Sequence, residues 1–126
     1  MVTKMDCLFC KIANKEISGR ILFENKYVMA ILDAFPEVDG HTLIIPKEHF
    51  ENVYTLPNHL LIQTNRVAKK MTKVLMQKLE VNSISWVVNF GDAQKIKHYH
   101  LHLLPDFKHN KGKTPIVRIY DKIMKD

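Results

Sequence analysis

Histidine recurs at every second position in His98-Tyr99-His100-Leu101-His102, a run that continues into Leu103-Leu104-Pro105. In extended chain, residues two apart point to the same face about 6 to 7 Å from each other, so the run presents a row of imidazoles. The opposite face carries Tyr99, Leu101 and Leu103, as a core requires. Such a row gathers titratable nitrogens where they can bind a metal or meet a phosphate. A neutral imidazole can attack phosphorus directly, and the covalent intermediate divides one difficult hydrolysis into two easier transfers. Neighbouring positive charge keeps such a ring neutral by disfavouring the imidazolium.

A second chemical signal lies near the start, in Cys7-Leu8-Phe9-Cys10. These are the chain's only cysteines. In a reducing compartment this spacing reads as half a zinc site or a redox motif rather than a structural disulfide. No strand precedes the pair, which argues against a thioredoxin-like arrangement and leaves zinc in need of two more ligands.

The elements that must position these groups are legible from periodicity. Leu8, Ile12, Ala13 and Ile17 suit a short amino-terminal helix or turn ended by Ser18-Gly19. The apolar runs Ile21 to Glu24 and Tyr27 to Leu32, split by Asn25-Lys26, predict a hairpin. A loop with Pro36 and Asp39-Gly40 leads to a third strand, His41 to Ile45, stopped by Pro46. Leu60, Thr64, Val67, Ala68, Met71, Leu75 and Leu79 recur at helical spacing, predicting one long helix whose apolar side covers a sheet. Thr55 or Asn58 is its expected cap, with Pro57 in the first turn. Ser83 to Phe90 alternates as a fourth strand, and Ile96 to Leu104 forms the fifth. The order predicts an α+β fold: an antiparallel five-stranded sheet with one long helix and a short amino-terminal one.

With 126 residues and no linker or repeat, the chain reads as a single domain over 1–126, its core at 7–105 and a basic extension at 106–126. No apolar run approaches a membrane span, and the start has no signal-peptide core, so a cytoplasmic location is expected. The formal charge of +6 favours anionic partners. The excess is diffuse: the 66–78 segment and the extension are basic, but neither carries a nucleic-acid motif, so both read as solvated faces rather than a nucleic-acid site. A phosphate-bearing small molecule feels the same field. His59 and His109 are assigned to solvent.

Taken together, four blocks resemble the histidine triad family: the row His98, His100 and His102; Asp33 to Pro36; His41 through His49; and Cys7 to Ile12. Members are nucleotide-binding hydrolases and transferases. The resemblance implies that His100 is the nucleophile, with His41 and His102 in supporting roles beside the phosphate. It further implies a base pocket at Phe9 and Ile12, a ribose-binding carboxylate at Asp33, and phosphate contacts at Asn89 and Gln94. His49 and His98 are implied to complete, with Cys7 and Cys10, a closed structural zinc site. A purine nucleotide or nucleotide conjugate is the implied partner, and a homodimer the implied assembly.

The sequence departs from the family pattern in three places. The Asn89 to Gln94 loop is short and lacks the Ala-Gly-Gln run; Lys95 stands where one branch carries serine near the leaving group; and the tail after Pro105 lacks the Gly-Gly and Trp features of that branch. The expectation is hydrolysis or transfer at the α-phosphorus of a purine nucleotide derivative through nucleotidylated His100. Two alternatives stand beside it: a catalytic metal held jointly by His98, His100 and His102, and a nucleotide-binding regulatory or interaction module with incidental activity.

Overall fold

A computed structural model describes residues 6–126. The expectation of no signal-peptide core falls largely on residues 1–5, which lie outside it. The elements follow in the order α1 (Leu8–Ala13), β1 (Ile21–Glu24), β2 (Val28–Leu32), β3 (Thr42–Pro46), α2 (Asn58–Leu79), β4 (Ile84–Val87), β5 (Leu101–Pro105) and α3 (Ile116–Met124). The strands form one antiparallel sheet in the order β1-β2-β3-β5-β4. β2 is apolar along its whole length and β3 from Leu43 onward, and both are wholly buried, as central strands covered on both faces must be. The margins β1 and β4 are only partly buried.

One face packs against α2 and α3. Val67, Ala68, Met71 and Leu75 of α2 meet Val28, Ala30, Ile44, Leu101 and Leu103 of the sheet. The other face is covered near β1 to β3 by α1, where Phe9, Cys10 and Ile12 pack on Met29, Ile31, Leu43 and Ile45. Cross-strand pairing sets Ile31 opposite Leu43, Leu43 opposite His102, and His102 opposite Val87. Directly opposed residues share a face, so these four make a transverse row across the α1 side of the sheet.

Several local expectations need correction. The fifth strand pairs only from Leu101; His98, Tyr99 and His100 precede it, with the Tyr99 amide donating to the Phe50 carbonyl at 2.7 Å. The alternation of faces survives without the ladder, because Tyr99 is buried with Leu56 and Leu60 while the histidines turn the other way. β4 is similarly shorter, leaving Val88 and Phe90 exposed. Pro57 is the cap residue of α2 rather than part of its first turn: its carbonyl accepts from the Leu60 and Leu61 amides, and no side chain caps the helix. Thr55 is engaged with Asn52 instead.

The larger departure is α3. The extension is basic overall, but Ile116, Ile119 and Ile123 follow Pro115 at helical spacing and insert into the core against α2 and β1. Among the described residues no helix is long and apolar enough to cross a membrane.

Candidate active site

The transverse row floors a cavity of about 820 Å³ that also admits His41, His100, Phe9, Ile12, Asp33 and Asn89. Its apolar end lies where α1 meets β2; the histidines occupy the part over β5. Residues that motif reasoning passed over also line it, among them Leu43, Val87, Phe35 and Ile116. Strand register would have found Leu43 and Val87, since both pair with His102. His59 and His109 are solvent-exposed, as expected.

Backbone groups fix which nitrogen of each ring carries the proton. His100 Nδ1–H donates to the His98 carbonyl at 2.8 Å, so its Nε2 holds the free lone pair. The ring is buried, and Phe9 packs edge-on against it with centroids 5.1 Å apart. Burial is the main cause holding its pKa below 6.5; the His98 carbonyl opposes this and the His102 ring adds to it. His100 is therefore neutral near pH 7, as a nucleophile must be.

The His41 and His102 rings are coupled. The Glu37 amide donates to His41 Nδ1 at 3.1 Å, which places the His41 proton on Nε2. That nitrogen lies 2.9 Å from His102 Nδ1 and 3.5 Å from Asp33 Oδ2. His102 Nδ1 accordingly accepts, and its proton sits on Nε2. Both rings have pKa values lowered chiefly by burial, with Asp33 and Glu37 opposing. Their ligand atoms and that of Asp33 lie within 4.8 Å of one another. A metal on His41 Nε2 would force that ring's proton onto Nδ1, against the Glu37 N–H. This group is thus wired for a proton and not for an ion.

His98 is wired the opposite way. Its Nε2–H donates to the Pro46 carbonyl at 2.8 Å, leaving the Nδ1 lone pair 3.3 Å from Cys7 Sγ and 3.5 Å from Cys10 Sγ. His49 Nδ1 lies 3.3 Å from Cys10 Sγ. A tetrahedral zinc with its usual bond lengths sets sulfur and nitrogen ligands about 3.5 Å apart, so the four donors have the spacing and chemistry of a closed metal site. Cys7 caps α1, its sulfur accepting from the Cys10 amide, which brings both thiols to one end of that helix. Burial pushes the His98 pKa down to about 4, the Pro46 carbonyl opposing, so the ring is neutral as a ligand must be. The triad rings therefore face three different partners and do not converge on one ion.

Gln94 does not join the cavity. Its side chain is buried, and Nε2 donates to the carbonyls of Glu51 at 2.6 Å and Ile96 at 2.9 Å. The short loop has turned this amide into a brace for the segment leading to His98. Asn89 does line the cavity, and so does Lys95. Asp33 keeps Oδ1 on the Phe35 amide at 2.9 Å, with Oδ2 toward His41.

Comparison with known proteins agrees with this geometry. The HIT domain family profile matches residues 14–109. An uncharacterized 16.1 kDa HIT-like protein from Mycoplasma pneumoniae is 37% identical over 109 residues, covering 85% of this chain and 76% of that protein. Adenosine 5'-monophosphoramidase HNT1 from Saccharomyces cerevisiae is 36% identical over 108 residues, covering 84% and 66%. The crystal structure of a hypothetical histidine triad nucleotide-binding protein from Sulfolobus tokodaii superposes with a TM-score of 0.84 at 30% identity, covering 94% of this chain and 87% of that one. A buried imidazole row on a five-stranded antiparallel sheet, matched in sequence and in shape over most of its length, places this chain in the HIT domain family.

Proposed function

We propose that the protein is a nucleotide hydrolase or transferase that acts at the α-phosphorus of a purine nucleotide derivative through a covalent nucleotidyl-His100. The observation that carries this reading is the bond from His100 Nδ1–H to the His98 carbonyl, which leaves a neutral, buried ring with its Nε2 lone pair available at the cavity. Phe9 and Ile12 receive the base, Asp33 the ribose hydroxyls, and Asn89 a phosphoryl oxygen.

In the first step the His100 lone pair forms the N–P bond as the bond to the leaving group breaks. The leaving group departs with the electron pair and is protonated by solvent, while neutral His102 keeps its Nε2 proton and donates it as a hydrogen bond to a phosphoryl oxygen. In the second step water attacks phosphorus, the N–P bond breaks with its electron pair returning to His100 Nε2, and the proton lost by water passes to solvent. His41 holds His102 in the required tautomer throughout.

Cys7, Cys10, His49 and His98 are the residues to hold a structural zinc ion. Bound there, zinc ties α1 to the segment that carries His100, with no open position for a reacting water. A reducing, cytoplasmic setting belongs to the same reading, because the thiols must stay reduced. A homodimer is supported by the margin of the sheet: β4 is an edge strand, and Trp86 and Val88 are exposed apolar groups. In this reading one domain spans the chain, with its core at 7–105 and an extension that adds Ile116 to the cavity wall.

The activity named for the yeast relative makes an adenosine 5'-phosphoramidate the first substrate to try, followed by dinucleoside polyphosphates. Mass spectrometry of a quenched reaction should find a nucleoside monophosphate on His100, and His100→Ala should abolish turnover while retaining nucleotide binding. Unchanged turnover in that variant refutes the mechanism. One observation favours a second reading, a nucleotide-binding module with incidental activity: Gln94 spends its amide protons on carbonyls and not on phosphate. Tight binding with slow turnover on every conjugate would select it.

A further inference from the structure

The tautomer of His102 depends on His41, and that of His41 on the amide of Glu37 in the loop between β2 and β3. At 3.1 Å this amide-to-ring bond is near the long end of the useful range, so a loop shift of a few tenths of an ångström weakens it sharply. What holds the loop is the chain beyond β5, and residues from 110 onward lie outside the matched family range of 14–109.

The Asn110 side chain makes four bonds there, one of them accepted from the Gly112 amide at 3.2 Å. Its Oδ1 accepts from the Asp39 amide at 2.9 Å, and its Nδ2 donates to the Asp39 carbonyl at 2.9 Å and to the Pro105 carbonyl at 3.0 Å. Asp39 stands two residues before His41, and Pro105 ends the strand that carries His102. One amide thus fastens the loop bearing one ring to the strand bearing the other. Thr114 adds a second fastening, its amide donating to Asp39 Oδ1 at 3.0 Å and its hydroxyl to Oδ2 at 2.6 Å. Between them the chain runs so close to the loop that a Cβ at Gly112 would lie 3.0 Å from the Glu37 carbonyl oxygen. Gly112 also has a φ of +63°, so glycine is needed there on both counts.

We propose that Asn110 and Thr114 are positioning residues that keep the His41–His102 hydrogen bond in register, making the carboxy-terminal extension a working part of the site. The inference builds on the proposed nucleotidyl transfer, since that is the step the His102 proton serves. Neither residue lines the cavity, so nucleotide binding does not depend on them.

The test is steady-state kinetics on an adenosine 5'-phosphoramidate together with ¹⁵N spectra of the imidazole nitrogens. In the wild type, His41 and His102 should each show an acceptor Nδ1 and a protonated Nε2. In Asn110→Ala, kcat should fall by roughly tenfold to a hundredfold, the scale of a small misplacement, with KM within about twofold. The two rings should then show mixed tautomers. Thr114→Val should do the same more weakly and covers the case in which Asn110→Ala fails to fold, while Thr114→Ser should keep wild-type behaviour. Full kcat in both folded variants overturns the proposal, as does a loss of kcat with the nitrogen pattern unchanged, which marks a merely structural role. If the wild type turns over no nucleotide conjugate, the proposed function fails, and the ¹⁵N spectra alone decide whether the extension sets the tautomers.

Discussion

Replacing Gly40 with alanine tests how tightly the His41 loop is seated. Gly40 is buried with a φ of +84°, a conformation that costs an L side chain about 1 to 2 kcal/mol. The new methyl group would overlap Leu79 Cδ1 at the end of α2 and lie 3.2 Å from Pro105 Cγ. Leu79 can swing its terminal carbon aside, so this contact adds only about 0.5 to 1.5 kcal/mol of off-rotamer strain. The sum is about 1.5 to 3.5 kcal/mol, which for a chain of this size lowers the melting temperature by about 6 to 14 °C. Urea denaturation of Gly40→Ala, Leu79→Ala and the double variant checks the partition. Leu79→Ala removes the overlapping carbon, so the double variant should be more stable than the sum of the two losses by about 0.5 to 1.5 kcal/mol. Strict additivity would show that the methyl group meets no resistance from Leu79, and a melting point within 2 °C of wild type, roughly the shift from half a kcal/mol, would refute the backbone argument as well.

Other consequences follow from the same geometry. If Cys7, Cys10, His49 and His98 hold zinc, the ion should appear at one per chain in native mass spectrometry. Chelation should then lower the melting temperature by at least about 10 °C, since metal binding contributes directly to folding free energy; a melt insensitive to chelator refutes the site. The acid limb of kcat should lie below pH 6.5. Burial holds the His41 and His102 pKa values down, so both rings stay neutral above that pH and lose their Nδ1 acceptors only on further acidification. A limb above pH 6.5 contradicts the sign. Trp86→Lys should leave the fold intact, because the ring is half exposed and loses only its 2.9 Å bond to Thr72. If the β4 edge pairs two copies of the chain, sedimentation should show the variant shifted from dimer to monomer.

Local chemistry was readable wherever a short-range period decides which way a side chain points. The alternation from His98 to Leu103 announced one face for imidazoles and another for the core, and it holds although the ladder begins only at Leu101. The 60–75 stripe and the 21–32 hairpin were equally local, as was the approach of Cys10 to Cys7 at the start of α1. The same helical period was present in Ile116, Ile119 and Ile123, where the basic composition of the tail hid it.

Only the tertiary structure decided which distant groups meet. The resemblance nominated His49 and His98 as partners of the cysteines, but the Pro46 carbonyl aims the His98 lone pair at thiols about ninety residues away in sequence. The His41 to His102 bond spans 61 residues, and the Asn110 bond that fastens their supports spans 71. It also decided that the Gln94 amide braces a loop while Asn89 lines the cavity. Sequence periodicity fixes direction within one element. The protonated edge of an imidazole is chosen by whichever backbone group the folded chain brings to the other edge, and no local pattern encodes that.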